Sequence, residues 1–331
     1  MGDKSGIQWT DATWNPVRGC TRVSEGCRNC YAERQAVRMS GPGGAYQGLV
    51  RMAPSGPRWT GEVRCVPELL DQPLRWKRPR LVFVNSMSDA FHDKIPAEFI
   101  AAMFGVMAVA EQHTFQLLTK RPERAADWFW EYERNARVCP TRAALALRVA
   151  VGAMRDTAQG AALHLLKGAS SRAEVAAPGV PEWPLRNLWM GISAEDQAAL
   201  DLRAPILQRI PAAVRWWSLE PLLGPLNLKL DPRRGGEPDL WTPDWVVVGG
   251  ESGPGARPCN LTWIQSIVDQ CQDAGVPVFV KQLGAWPVLE AEGAALGPDT
   301  LRVHQEHPKG GEIGEWPLRL RVRQWPDQVP A

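Results

Sequence analysis

Six short apolar runs, each breaking into a polar or glycine-rich turn, set the tightest limit on what this chain can fold into. They are Leu81 to Val84, Phe115 to Leu118, Leu188 to Ile192, Val214 to Leu219, Trp245 to Val248 and Val278 to Val280. Their apolar residues are mostly continuous instead of alternating, as parallel strands covered on both faces require. Helical spacing follows in between. From Ala97 to Ala110, residues Phe99, Met103, Val106 and Ala110 fall on one face, and from Thr262 to Ala274 so do Ile264, Ile267, Val268 and Cys271. Thr262 with Gln265 three residues on matches a capping box, and Gly275 and Pro277 supply the stop. Strand–helix alternation repeated about six times predicts right-handed crossovers and an α/β fold, a wound parallel sheet or barrel.

Two stretches interrupt this rhythm. Residues 40–60 are rich in Gly and Pro and read as a long loop, and residues 134–187 read as an inserted helical segment. Residues 231–244 read as a surface loop, and the patterning fades after about residue 285 into Trp-, Pro- and Arg-rich sequence. We therefore expect a barrel domain over 1–285, with the 134–187 insertion, and a C-terminal extension over 286–331.

Composition narrows the function classes. With 38 Lys+Arg against 36 Asp+Glu, the net charge of +2 excludes an overall basic nucleic-acid coat, though not a local basic patch. The longest uncharged apolar run, Phe99 to Ala110, has 12 residues, too few to span a bilayer, so no membrane partner is expected. The first ten residues carry no apolar signal core, and the expected location is the cytoplasm. Seven cysteines in a reducing compartment point to metal binding or catalysis before disulfides. Trp, at 16 residues, outnumbers Phe (7) and Tyr (3) together, and core packing accounts for most of them.

The sharpest local feature is Cys20, Cys27 and Cys30, spaced Cys-x6-Cys-x2-Cys. Three thiolates on a four-iron, four-sulfur cluster would leave one iron open for a ligand. A zinc site completed by Cys65 or His92, or three unrelated thiols, are the alternatives. The block Ile7-Gln8-Trp9-Thr10-Asp11-Ala12-Thr13-Trp14-Asn15-Pro16 leads into this loop. With Leu74 to Lys77, Val84 to His92, His113 to Arg124, Glu220 to Pro225 and Val247 to Pro258, it resembles a phage-associated family in the radical S-adenosylmethionine superfamily. The resemblance covers most of residues 5–285 and favours the cluster over zinc.

The resemblance implies a partial (β/α)6-type TIM barrel of parallel strands with a helical insertion. It implies a radical enzyme in which a 4Fe-4S cluster on Cys20, Cys27 and Cys30 cleaves S-adenosylmethionine to a 5′-deoxyadenosyl radical. Its partners would be an external one-electron donor of the flavodoxin or ferredoxin type and, as substrate, a hypermodified thymidine-derived base in phage DNA. Its location would then be the host cytoplasm. A free metabolite or a peptide as substrate, and a zinc-stabilised nucleic-acid-binding module in place of an enzyme, stay open beside that reading. Polar residues at the carboxyl ends of the predicted strands are the candidates for holding the cofactor: Ser86, Asp89, Thr119, Lys120, Ser193, Glu220 and Glu251, with Lys281 and Gln282 at the last strand end.

The remaining signals are weaker. Gly249-Gly250-Glu251-Ser252-Gly253-Pro254-Gly255 fits neither a P-loop nor a dinucleotide fingerprint and reads as a tight turn, with Glu251 pointing in. His92 reads as a hydrogen-bonded structural histidine before a ligand, and Cys271 as core. Cys65, Cys139 and Cys259 have no spacing partner, and Lys120, Arg121 and Arg124 read as a solvated helix start.

Overall fold

A computed structural model describes residues 5–138, 184–231, 242–290 and 300–327. Most of the expected inserted segment (its residues 139–183) and of the loop at 231–244 (its residues 232–241) lie outside the described residues. The fold is α/β, built on a curled seven-stranded parallel sheet of partial TIM-barrel type. The strands are β1 (Ala12–Trp14), β6 (Leu81–Val84), β7 (Thr114–Thr119), β8 (Leu188–Ser193), β9 (Val214–Leu219), β10 (Trp245–Gly249) and β12 (Val278–Gln282), in that order across the sheet. The six apolar runs are six of these strands. The seventh, β1, is three residues long and sits at the sheet edge, too short to register as a hydrophobic run.

The chain divides into two compact units. The first comprises residues 1–21, 32–190 and 209–213, and the second 22–31, 191–208 and 214–331. In the first unit β1 pairs with β6 and β6 with β7, all parallel. Helix α2 (Ala97–Val109) is buried along most of its length, and α3 (Pro122–Val138) follows β7. Smaller elements complete this unit. They are α1 (Tyr31–Val37) and two antiparallel ribbons, β2 (Val17–Arg18) with β5 (Arg64–Cys65), and β3 (Val50–Ala53) with β4 (Gly56–Trp59). The β3–β4 hairpin falls inside the stretch expected to be a loop. Its Gly and Pro content hid two four-residue strands whose pairing the ladder supplies.

In the second unit β9, β10 and β12 pair in parallel, with α4 (Gln197–Gln208) after β8, and the two-residue β11 (Cys259–Asn260) and α5 (Leu261–Asp273) between β10 and β12. Every residue of β8 and β10 is buried, which is why these strands read as unbroken apolar runs. The cap of α5 differs from the expected box by two residues. Asn260, not Thr262, is the N-cap, and its side chain accepts the Thr262 N–H. The stop is as expected. Gly275 adopts φ +65°, and the Gly275 and Val276 N–H groups return to Gln272 and Cys271 in a Schellman arrangement.

The C-terminal residues close the exposed edge of β12. The Val280 N–H donates to Val322 O, and the Gln324 N–H donates to Val278 O. Trp245 stacks on Trp325 at 5.2 Å, and its indole N–H donates to Gln324 O at 2.9 Å. The tryptophans are largely core, as expected: Trp14, Trp189, Trp216, Trp217, Trp245 and Trp316 are all at most 2% exposed. No helix among the described residues is long and apolar enough to cross a membrane.

Gly191 on β8 makes room for this aromatic layer, since a Cβ there would lie 2.4 Å from the Trp216 ring. Gly191→Ala is therefore expected to destabilise the fold by about 1–3 kcal/mol through overpacking, read as a lower urea midpoint with an unchanged m-value.

Candidate functional site

The carboxyl ends of the strands carry three sets of polar side chains. In the first unit Asp89, beyond β6, is buried and accepts four hydrogen bonds. Thr119 Oγ1 and the Phe91 N–H reach Oδ1 at 2.8 and 2.9 Å, and the Lys120 N–H and Arg121 guanidinium reach Oδ2, both at 3.1 Å. Arg121 also donates to Thr21 O and Thr21 Oγ1, and lies 3.9 Å from the Cys20 sulfur. Burial alone would lower its pKa, but Asp89 and Cys20 hold it above the ordinary value. Arg121 thus clamps the Cys20-Thr21 backbone to the ends of β6 and β7, instead of lying solvated at a helix start. Ser86 donates to Asn15 Oδ1 at 3.2 Å.

His92 belongs to the same network, as a structural histidine. Its Nδ1 accepts the Lys94 N–H, so the proton sits on Nε2, which faces Thr21 Oγ1 at 3.0 Å. Burial, then the Arg121 charge, lowers its pKa. Burial likewise lowers His113, whose Nε2 donates to Pro73 O at 3.0 Å.

In the second unit the segment 22–31 is held by carboxylates. Glu195, beyond β8, accepts the Gly26 N–H at 3.2 Å and is itself paired with buried Arg203 at 3.2 Å. Glu251, beyond β10, accepts from Asn29 Nδ2 at 2.9 Å and three times from Arg257: the backbone N–H at 2.9 Å, Nε at 3.0 Å and NH2 at 2.6 Å. Burial pushes the Glu251 pKa up, but the hydrogen bonds from Arg257 and Asn29 outweigh it and hold the carboxyl below the ordinary range. Glu251 points inward as expected, yet its oxygens are spent on its own loop. Sequence reasoning did not find Glu195, Arg203, Asn29 or Arg257, because no spacing rule links them.

The third set retains hydrogen-bonding capacity. Lys281 Nζ donates to both oxygens of Glu220, at 2.8 and 2.7 Å, and Gln282 Nε2 donates to Glu220 Oε1 at 3.0 Å and to Gly250 O at 3.1 Å. Neighbouring residues on a strand normally point to opposite faces. Here the β10–β12 register slips, pairing Val248 with Val280 and Gly249 with Gln282. Lys281 is the extra residue of a bulge, and both side chains reach the same carboxylate. They cross β10 where it ends in glycines. A Cβ on Gly249 would sit 3.0 Å from Gln282 O, and one on Gly250 only 2.3 Å from Leu283 O. Ser193 donates to Glu220 O at 3.2 Å.

The cysteine loop does not form the expected centre. Among the described residues no three or more His, Cys, Asp or Glu side chains are grouped so as to hold a metal ion. Cys20 lies beside Arg121, Cys27 closes a 3-10 turn and Cys30 precedes α1. The loop is fixed by Glu195, Asn29 and the Arg22 donation to Arg28 O, not by thiolates converging on one point. The zinc alternative is overturned by the same observation, since neither Cys65 nor His92 joins such a group, and both His92 nitrogens are hydrogen-bonded. The 4Fe-4S cluster, S-adenosylmethionine as cofactor, the radical enzyme and its action on phage DNA are corrected accordingly, as is the zinc module. Cys259 and Cys271 are core thiols, each raised to about 12 by burial.

What fold and site define is an α/β protein of partial-barrel type with a Lys–Glu–Gln cluster at the carboxyl ends of its strands. The model of a family described as protein of unknown function (DUF5131) matches residues 4–312, and the chain belongs to that family. No curated protein and no solved structure matches it.

Two outcomes follow from the buried networks. Because His92 and His113 are held below the ordinary 6.5, the folded state resists protonating them. Their contribution to stability is complete above about pH 6.5 and is lost as pH falls from there towards their folded pKa values. Urea unfolding at pH 7.5 and 5.5 is expected to give the lower stability at 5.5, with a smaller difference in His92→Gln. Arg121→Met would leave the buried Asp89 carboxylate without its cation and is expected to cost about 3 kcal/mol or more, measured in the same assay at pH 7.5.

Proposed function

We propose that this protein binds a small anionic metabolite, one bearing a carboxylate or phosphate, at the carboxyl ends of β8, β9, β10 and β12, with Lys281 as the recognising cation. The observation that carries this reading is the bulge that turns both Lys281 and Gln282 onto Glu220. Both side chains of the ion pair are under one-fifth exposed. A pair so placed returns little net stability, because desolvation offsets its Coulomb attraction. Its value lies in position, since parallel α/β sheets collect ligands at this end. An ammonium has three N–H donors. Two go to Glu220, and the third is available to an oxyanion. Glu220 and Gln282 then fix the lysine's direction, and Glu220 offers the complementary acceptor for a hydroxyl or ammonium on the same ligand.

An external electron donor has no cluster to serve in this reading, and DNA does not enter it at this site. We place the activity in the cytoplasm, where the six described free cysteines would stay reduced.

Thermal-shift measurement with a panel of small carboxylates and phosphates tests the proposal. At least one compound is expected to raise the wild-type melting temperature. Lys281→Met is expected to lose at least 90% of that compound's affinity, a cost of about 1.4 kcal/mol or more, while Lys281→Arg keeps part of it. A wild type that responds to no compound in the panel, or a Lys281→Met protein that responds equally, would sink the proposal.

A further inference from the structure

The first unit carries a second feature that the Lys281 cluster does not use. Both of its small antiparallel ribbons set arginine directly opposite arginine: Arg18 faces Arg64 in the β2–β5 pair, and Arg51 faces Arg58 in the β3–β4 pair. Like charges directly opposite on a ladder repel and destabilise it. Of these four, Arg58 is committed locally: it lies 3.8 Å from buried Glu33 and donates to Pro57 O, Ser55 O and Ser55 Oγ, while no ion pair among the described residues involves Arg18, Arg51 or Arg64. Glu62 is already paired with Lys94 at 2.9 Å.

The two pairs are joined through one turn. Arg18 donates to Ala45 O and lies over the Tyr46 ring, and Arg64 donates to Gln47 O. The Tyr46 ring in turn packs 6.3 Å from Trp59, the neighbour of Arg58 on β4. The backbone contacts occupy one N–H group of Arg18 and one of Arg64, leaving the rest of each guanidinium fork open. Arg51 and Arg64 are exposed, and so is Met52 beside Arg51.

We propose that this face docks the phosphate backbone of a nucleic-acid duplex, with Arg18, Arg51 and Arg64 taking phosphate oxygens. Guanidinium groups on two separate ribbons suit a ligand that repeats its charge, and a guanidinium fork matches phosphate geometry. A two-stranded ribbon such as β3–β4 also has the width that a duplex major groove admits. An anionic membrane would ask for a broad apolar face beside the charges. The hairpin offers Met52 as its one exposed large apolar side chain.

Fluorescence anisotropy of a labelled 20-base-pair duplex against the full-length protein tests this as a function of KCl. With three phosphates neutralised, log K is expected to fall with log [KCl] at a slope of about −2.7. In Arg51→Gln/Arg64→Gln, which removes the two exposed arginines, the slope is expected to shrink to about one third. Its circular dichroism and urea midpoint should match the wild type. Failure to bind at about 50 mM KCl, where phosphate contacts are strongest, would overturn the proposal. So would a variant whose slope equals that of the wild type, or binding to phosphatidylserine vesicles without binding to the duplex. None of these outcomes bears on Lys281, so the two proposals stand or fall separately.

Discussion

The central constraint on this molecule is that its parallel strands are sealed on both faces. Val246, Val247 and Val248 on β10 and Val278 and Val280 on β12 are entirely buried, and the Trp216, Trp245 and Phe279 rings cover the same strands. A strand in that position cannot carry a charge along its length, because an unpaired ion there would meet a desolvation cost far above any single packing gain. Polar chemistry is therefore pushed to the strand ends. That is where Asp89, Glu195, Glu220, Glu251 and Lys281 all lie.

At those ends the carboxylates divide into two kinds. Asp89 and Glu251 each accept four hydrogen bonds and behave as structural hubs, one gathering the residues after β7, the other closing the loop after β10. Glu195 is similarly committed to Gly26 and Arg203. Glu220 differs, because the cation it faces belongs to a bulge and retains a donor. A polar residue at a barrel's carboxyl end is thus not by itself a ligand contact. Counting donors against lone pairs separates the hubs from the group with capacity to spare.

The same accounting explains the cysteine segment. Spacing of the form Cys-x6-Cys-x2-Cys permits convergence on a metal, but convergence also needs a backbone path that points three sulfurs at one place. Here the path is fixed by other groups: Arg121 holds the Thr21 backbone, and Glu195 and Asn29 fix the stretch from Gly26 to Asn29. Gly19 adds a further limit, with φ +88° and its hydrogen in contact range of Glu62 O, where a Cβ would approach to 2.2 Å. A linear pattern reports none of these long-range partners.

The sequence by itself determined the class of fold, six of the seven sheet strands, the α5 stop at Gly275 and the core roles of Cys271 and most tryptophans. Each of these follows from local periodicity or from side-chain size, and both are written in neighbouring residues. Tertiary structure alone decided the edge strand β1, the β3–β4 hairpin, the Asn260 cap and the fate of every strand-end candidate. A three-residue strand exists only through its partner's ladder. Whether Glu251 or Glu220 has a lone pair or a neighbouring donor left over depends on Arg257 six residues away and on Lys281 sixty-one residues away. Hydrogen-bond saturation is a property of the folded neighbourhood, so no reading of residue types along the chain can assign it.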